Sequence, residues 1–415
     1  MDKRIKVGLI GLGQRGNGLM NNILKIKDTL ISAICDKFSD RLDNAEKRIV
    51  DNGDPAPFKT DDYLKVIACG VDVVIVATSW NNHVEVALSA MNAGVPVAME
   101  VGGSHSIEDC WALVDCYEKT NTPFFFLENC CYNIDEALAT SLVRNGVLGE
   151  VVYCQGAYCH DLRSEIAGGI DTHHYRLEEY KNYCCDNYPT HELGPISKIL
   201  NINRGNRFIK LVSMSSKSLG MKHYIKNTPI YADRLKDIEF KQGDVVSTMI
   251  QCENGEMIVL KLDTTLPRLY DRNLTVSGTK GFYCQSTNAV VLDKGEFDHE
   301  IDKYSKAFGS DEKYNKYLPE EWRAITDEQK KAGHGGMDYI MLRHLFDVLK
   351  TNEKKMPIDV YDAAVWMNIT ALSEKSIKEG SIPVDCIDFT RGKYKQFKPL
   401  DTFKYPYIRC KNKIN

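Results

Sequence analysis

The stretch Ile5-Lys6-Val7-Gly8-Leu9-Ile10-Gly11-Leu12-Gly13-Gln14-Arg15-Gly16 decides how the chain is read. Its first half is a short apolar run, and its second half is Gly-x-Gly-x-x-Gly. A helix-like segment follows, and a second apolar run over residues 30–35 ends at Asp36. Strand, glycine turn, helix, strand and acid therefore stand in register, with Asp36 about 20 residues beyond Gly16. Gly11, Gly13 and Gly16 permit a tight turn and let the backbone approach a pyrophosphate at a helix N-terminus. A carboxylate at Asp36 accepts hydrogen bonds from the adenosine ribose hydroxyls and repels a 2′-phosphate, so the pattern specifies NAD over NADP.

The alternation continues beyond this unit. Residues 71–78 form a nearly continuous apolar run, the mark of a strand covered on both faces. Val84, Ala87, Leu88 and Met91 have helical spacing, with Gly94 as the stop. Strands over 95–101 and 124–127, separated by a helix over 107–120, complete an α/β Rossmann domain with a doubly wound parallel sheet across residues 1–128. Ligands bind such sheets beyond the carboxyl ends of the strands, where residues 80–83, 100–103 and 128–132 fall.

After a helix over 134–145 the pattern changes. Residues 151–160, 208–215, 245–251, 257–262 and 273–277 read as strands, and Glu253-Asn254-Gly255-Glu256 reads as a hairpin turn. These features predict a C-terminal α+β domain over residues 129–415 with an open, largely antiparallel sheet. Residues 161–187 are polar and aperiodic, and read as a long functional loop. That loop leads into Tyr188-Pro189-Thr190-His191-Glu192-Leu193-Gly194-Pro195. Pro189 fixes its own φ, and Thr190 is expected to N-cap a helix carrying Ile196, Ile199 and Leu200. His191 then falls in the first turn, where the positive helix end favours a neutral imidazole. Residues 294–331 read as a charged surface excursion, and helices resume over 337–349 and 360–379.

Composition narrows the possibilities. A net charge of −4 gives no electrostatic footprint for nucleic acid or an anionic membrane. No apolar run approaches the roughly 20 residues that span a bilayer. The chain enters a strand at Ile5, so these residues show no export leader and the expected location is cytoplasmic. The 14 cysteines include the adjacent pairs Cys130-Cys131 and Cys184-Cys185 but no Cys-x-x-Cys, so no metal site is expected. Most read as small buried hydrophobes in a reducing compartment.

The first domain resembles the glucose–fructose oxidoreductase, inositol dehydrogenase and MocA-like superfamily. Within it, Tyr158-Cys159-His160-Asp161-Leu162-Arg163, Tyr188-Pro189-Thr190-His191, Leu200-Asn201-Ile202-Asn203-Arg204-Gly205 and Gly333-His334-Gly335-Gly336-Met337-Asp338 resemble glycoside hydrolase family 109, in the same order and nearly end to end. That family's characterised members are NAD-dependent α-N-acetylgalactosaminidases. Two departures stand out. The oxidoreductases carry a catalytic lysine in Glu-Lys-Pro, whereas Glu100-Val101-Gly102 stands here; the hydrolases usually have Glu-Val-Pro. Glu192 occupies a position where the hydrolases generally have glycine.

The resemblance implies a glycosidase that keeps NAD bound, oxidises the sugar at C3, eliminates the aglycone across C1 and C2, adds water and re-reduces, with net retention. It implies His191 as catalytic base and Tyr158 as its partner, and Tyr158, Arg176, Tyr188, Thr190, His191 and Tyr270 around the sugar. It implies Gly11, Gly13, Gln14, Arg15, Gly16, Asp36, Trp80, His83, Glu100, Val101, Asn129 and Tyr188 around the cofactor. His160 and His334 belong to the motifs without an assigned role. A carbohydrate substrate is the expected partner, with a homo-oligomer through the second-domain sheet as a further expectation. The alternative reading is an NAD-dependent sugar or polyol dehydrogenase acting on free sugar.

Overall fold

The computed structural model describes residues 4–293, 305–306, 312–351 and 355–408. The chain divides into two compact units, Met1–Tyr132 with Ile325–Asn368, and Asn133–Ala324 with Ile369–Asn415. The sequence reading drew one boundary, between residues 128 and 129, and so differs. A late segment returns to the first unit because it completes that unit's core. Phe126 N–H donates to the Ile358 carbonyl at 3.1 Å, and the Trp366 ring lies 6.2 Å from that of Phe126. Helical periodicity identifies such a segment as a helix without saying which sheet it covers.

In the first unit, strands β1 (Ile5–Ile10), β2 (Thr29–Cys35), β3 (Phe58–Thr60), β4 (Val73–Val76), β5 (Val97–Met99) and β6 (Phe124–Phe126) form a parallel sheet in the order β3-β2-β1-β4-β5-β6. All four residues of β4 and all three of β6 are buried, as the unbroken apolar runs required. Helices α1 (Gln14–Ile23), α2 (Ser39–Asp51), α3 (Tyr63–Ala68), α4 (Trp80–Asn92) and α5 (Ile107–Thr120) alternate with the strands. Two glycines of the first turn are sterically obligatory. Gly11 has φ +94°, and a Cβ there would lie 2.5 Å from the Ala77 carbonyl oxygen; one on Gly16 would lie 1.9 Å from the Gly11 oxygen.

The second unit holds helix α6 (Ile134–Arg144) and a mixed sheet built from β7 (Val151–Cys159), β8 (Phe208–Ser215), β9 (Val245–Cys252), β10 (Met257–Asp263), β11 (Thr275–Gly278), β12 (Gly281–Cys284), β13 (Ala289–Leu292), β14 (Ser305–Lys306) and β15 (Val384–Asp385). Their order is β14-β13-β12-β11-β7-β10-β9-β8-β15, and β7 with β10 is the parallel pair among antiparallel neighbours. The hairpin between β9 and β10 closes through Cys252 N–H to the Glu256 carbonyl at 2.9 Å, with Gly255 at φ +101°. Along β9, Val246, Thr248, Ile250 and Cys252 are buried while Ser247, Met249 and Gln251 are exposed, so one sheet face is covered and the other open.

Residues 161–187 are not the long loop expected. They contain helices α7 (Arg163–Thr172) and α8 (Arg176–Asn182), joined by His173 in the left-handed region at φ 57°. Gly169 lets the two helices meet, since a Cβ there would fall 2.9 Å from Leu177 Cβ. Helix α9 (Thr190–Ile199) follows, and part of the predicted excursion at 294–331 lies outside the described residues. No helix among the described residues is long and apolar enough to cross a membrane.

Candidate active site

In the first unit, loops at the carboxyl ends of β1, β2, β4 and β5 gather most of the residues expected around the cofactor. Gly13 occupies the N-cap position of α1, and a Cβ built on it meets only Arg41 Nη1, at 3.9 Å. Space is therefore open before a helix start whose first turn holds no acidic residue. Exposed Gln14 opens that helix. Asp36 is buried, and its two oxygens accept the Leu12 N–H at 2.7 Å and the Phe38 N–H at 3.0 Å. Arg41 stands 3.6 Å from this carboxylate and 4.6 Å over the Phe38 ring.

His83 Nε2 lies 3.0 Å from the Thr78 carbonyl, which can only accept, so Nε2 carries the proton and Nδ1 the lone pair. That Nδ1 is buried with no hydrogen-bond partner among the described residues. Burial holds the imidazole neutral, pushing its pKa down to about 4. Trp80 lies on Gly102: a Cβ at 102 would be 2.4 Å from the indole Cδ1, which gives the Gly102 departure a steric meaning. Val101, at the position of the oxidoreductases' lysine, is a buried aliphatic side chain.

Arg15 and Asn129 meet at one carboxylate that the sequence reading did not single out, and Arg15 ties Glu100 to it. Arg15 Nε donates to Glu100 Oε1 at 2.7 Å, and its Nη1 and Nη2 donate to Asp338 at 2.8 and 3.1 Å. Asn129 Nδ2 donates to Asp338 at 2.7 Å, and His334 Nδ1 lies 2.8 Å from the same group. Burial pushes the Glu100 carboxyl up against the pull of Arg15. Burial acts the same way on Asp338, but the Arg15 charge and the His334 and Arg15 hydrogen bonds outweigh it and hold that group well below the usual carboxylate range. An open helix start, a backbone-held acid after β2 and an orphaned buried acceptor at His83 together fit a dinucleotide.

In the second unit, β7, α8, α9 and the segment after β10 bring Tyr158, Arg176, Tyr188, His191 and Tyr270 together. Ring centroids are 4.6 Å apart for Tyr158–Tyr188, 4.7 Å for Tyr188–His191, 5.6 Å for Tyr158–His191 and 6.4 Å for Tyr158–Tyr270. Tyr188 Oη is 3.2 Å from His191 Nε2, and Tyr158 Oη is 3.2 Å from His160 Nδ1. The buried Arg176 guanidinium lies 5.2 Å over the Tyr188 ring, with its Nε 3.1 Å from Glu165. Gly156 makes this arrangement possible by letting α9 lie directly on β7, its Cα facing the Glu192 side chain.

Burial raises the Tyr158 phenol well above its ordinary range, with Arg176 pulling part of the way back. The His160 imidazole is pushed down by burial and by the Arg176 charge. Half-exposed Tyr270 accepts a hydrogen bond from Arg272 Nη1 at 3.3 Å, and Arg272 Nε donates to buried Glu136 at 2.8 Å. Such a set offers imidazole, phenols and a guanidinium to a polyhydroxylated ring.

Thr190 requires a correction. It is the first residue inside α9 with Pro189 at the N-cap position, and its buried Oγ1 has no hydrogen-bond partner among the described residues. Pro189 already has helical φ and ψ (−75° and −18°), so the helix starts one residue early and the hydroxyl cannot reach a capping position. The sequence reading also left His160 and Asp338 without roles and did not single out Arg272. The Gly333-His334-Gly335-Gly336-Met337-Asp338 motif was the one pointer to Asp338.

Fold and site together define an NAD-binding protein with a Rossmann unit and a second, mixed-sheet unit. Residues 5–127 match the oxidoreductase family with an NAD-binding Rossmann fold, and residues 132–396 match the C-terminal domain of glycosyl hydrolase 109. The chain belongs to glycosyl hydrolase family 109 and is an NAD-dependent glycoside hydrolase. It is 35% identical to an alpha-N-acetylgalactosaminidase of Tannerella forsythia, over 96% of this chain and 89% of that one. It is 36% identical to a glycosyl hydrolase family 109 protein of Solibacter usitatus, over 95% of this chain and 90% of that one. Among solved structures, a levoglucosan dehydrogenase in complex with NADH and levoglucosan shares the fold, with a TM-score of 0.70 at 17% identity, over 92% of this chain and 100% of that one.

Proposed function

We propose that the chain hydrolyses α-linked N-acetylhexosaminides, N-acetylgalactosaminides foremost, with retention at C1, by elimination and water addition across C1 and C2. The observation that carries this reading is the His191 imidazole hydrogen-bonded to Tyr188 at 3.2 Å beside the Tyr158 ring. The name of the Tannerella forsythia relative supports the choice of sugar. NAD⁺, when bound, supplies a hydride acceptor for sugar C3 that is restored within the same turnover. A C3 carbonyl acidifies the neighbouring C2 hydrogen, and His191 removes it. For that role Nε2–H donates to the Tyr188 hydroxyl, which directs the ring, and the Nδ1 lone pair takes the proton. Tyr158, its phenol raised by burial, stays protonated and acts as a hydrogen-bond donor to a sugar oxygen. Arg176 and Tyr270 hold the pyranose. Val101 replaces the ammonium that a dehydrogenase would use to relay an alcohol proton.

The test is incubation of the purified chain with p-nitrophenyl α-N-acetylgalactosaminide in deuterium oxide without added cofactor. Nitrophenol release, no accumulating NADH and deuterium at C2 of the freed sugar are expected. Hydrolysis that leaves C2 unlabelled refutes the elimination route. Stoichiometric NADH from a free sugar and added NAD⁺, without nitrophenol release, makes the protein a dehydrogenase.

A further inference from the structure

The segment from Gly333 to Asp338 follows a backbone path open to glycine but strained for its histidine. Gly333, His334, Gly335 and Gly336 have φ of 38°, 49°, 69° and 102°, four successive residues on the left-handed side, one of which is not glycine. Glycine takes such angles readily, so His334 is the strained residue of the run, and it persists there where the surroundings impose it. A Cβ on Gly333 would lie 2.9 Å from Asp338 Oδ2 and 2.8 Å from Asn22 Nδ2, so the chain passes against the carboxylate itself. The turn brings His334 Nδ1 to within 2.8 Å of that oxygen, although the His334 side chain is 55% exposed and Asp338 only 1%. The helix Met337–Leu349 begins here, with Gly336 at its N-cap position and Asp338 in its first turn.

Asp338 in turn receives two donors of Arg15 and the amide of Asn129. Arg15 stands between Gly13 and Gly16 of the dinucleotide turn, and its third donor goes to Glu100 at the end of β5. We propose that Asp338, backed by His334, is a positioning residue that clamps Arg15 and Asn129 into the dinucleotide site, with Glu100 held through Arg15, and so keeps NAD resident between turnovers. The proposal rests on the reading of the chain as an enzyme whose cofactor returns to its starting state each cycle. A guanidinium fixed before the cofactor arrives loses no rotamer freedom on binding, and a buried carboxylate gripped by three side chains releases slowly.

The experiment uses full-length wild type, D338N, H334A and H334Q. NAD that co-purifies is released by acid and quantified, cofactor-stripped protein is titrated with NAD⁺, and the apo-protein Tm is recorded. Wild type carries close to one NAD per chain. D338N binds NAD about 10- to 100-fold more weakly, as expected when one partner of a buried charge cluster is removed. H334A binds about threefold more weakly, and H334Q, whose amide can still donate to Asp338, recovers most of that loss. Across the series the KM for NAD rises more than kcat falls, and the apo Tm of both exposed His334 variants matches wild type. Wild-type affinity in D338N or in H334A overturns the clamp, as does a lowered apo Tm in D338N with unchanged affinity. If D338N does not fold, the His334 pair decides alone. A chain that binds NAD as described but releases no nitrophenol sinks the glycosidase reading and leaves the clamp standing; hydrolysis with unaltered NAD affinity in the variants does the reverse.

Discussion

Gly156→Ala tests the packing that holds His191 in place. A Cβ at 156 would lie 2.6 Å from Glu192 Cβ, 3.1 Å from Glu192 Cγ and 3.2 Å from Ile196 Cδ1. The first distance is about 1 Å short of ordinary carbon–carbon contact, so α9 must retreat from β7 by that order. Overpacking of this kind costs about 1–3 kcal/mol of stability. His191 precedes Glu192 on the same turn and moves with it, and a displacement of about 1 Å in a reacting group costs roughly 100-fold in rate. The clash lies chiefly with the Glu192 stem, so Glu192→Gly should relieve it. Alone, E192G introduces a helical glycine worth about 1 kcal/mol of destabilisation. Urea unfolding and kcat/KM on the nitrophenyl glycoside, measured for both singles and the double, form the assay. The double should be more stable than the summed singles by about 1–2 kcal/mol, with kcat/KM above that of G156A. Additive effects on both readouts, or a G156A enzyme with wild-type stability and rate, refute the idea that bare backbone at 156 seats the imidazole.

Three further outcomes follow from the same geometry. Tyr188→Phe removes the hydroxyl 3.2 Å from His191 Nε2 and should lower kcat about 10-fold with a smaller change in KM; an unchanged kcat would show that the hydroxyl does not orient the base. Arg272→Met leaves the buried Glu136 carboxylate without its guanidinium and Tyr270 without its donor, so a loss of about 3–5 kcal/mol by urea unfolding and a raised KM are expected, and wild-type stability would contradict the ion pair's role. Asp186 is fully buried, and burial pushes its carboxyl up from 3.8 to about 7, so the folded state binds its proton more tightly than the unfolded chain. Its stabilising effect is complete below about pH 4 and is lost as pH rises towards 7, to a total on the order of 4 kcal/mol. Asp186→Asn should therefore gain on wild type steadily across that window and run parallel above it; unfolding curves that stay parallel from pH 4 to 8 would contradict it.

How far the sequence could be read depends on how far apart the cooperating residues lie. The turn from Gly11 to Gly16 and the acid at Asp36 are local, and backbone sterics alone demand those glycines, so the first sheet was legible. Tyr188 and His191 are three residues apart and meet across the start of α9, so their pairing was also within reach. Helices α7 and α8 escaped because Gly168-Gly169 and the histidines at 173 and 174 break the apolar periodicity on which helix recognition rests. Tyr158 reaches His191 only because Gly156 admits α9, a fact of packing that no spacing records. Asp338 is the extreme case: it lies 323 residues from Arg15, and no period or motif connects an acid in a late helix to an arginine in the first turn. What the sequence did carry was Gly333-His334-Gly335-Gly336, three glycines and a histidine where a helix was about to begin. Glycine in that density is a backbone requirement before it is anything else. The requirement here is a path that puts an imidazole on a buried carboxylate, so the oddity in the local sequence was the trace of a long-range contact.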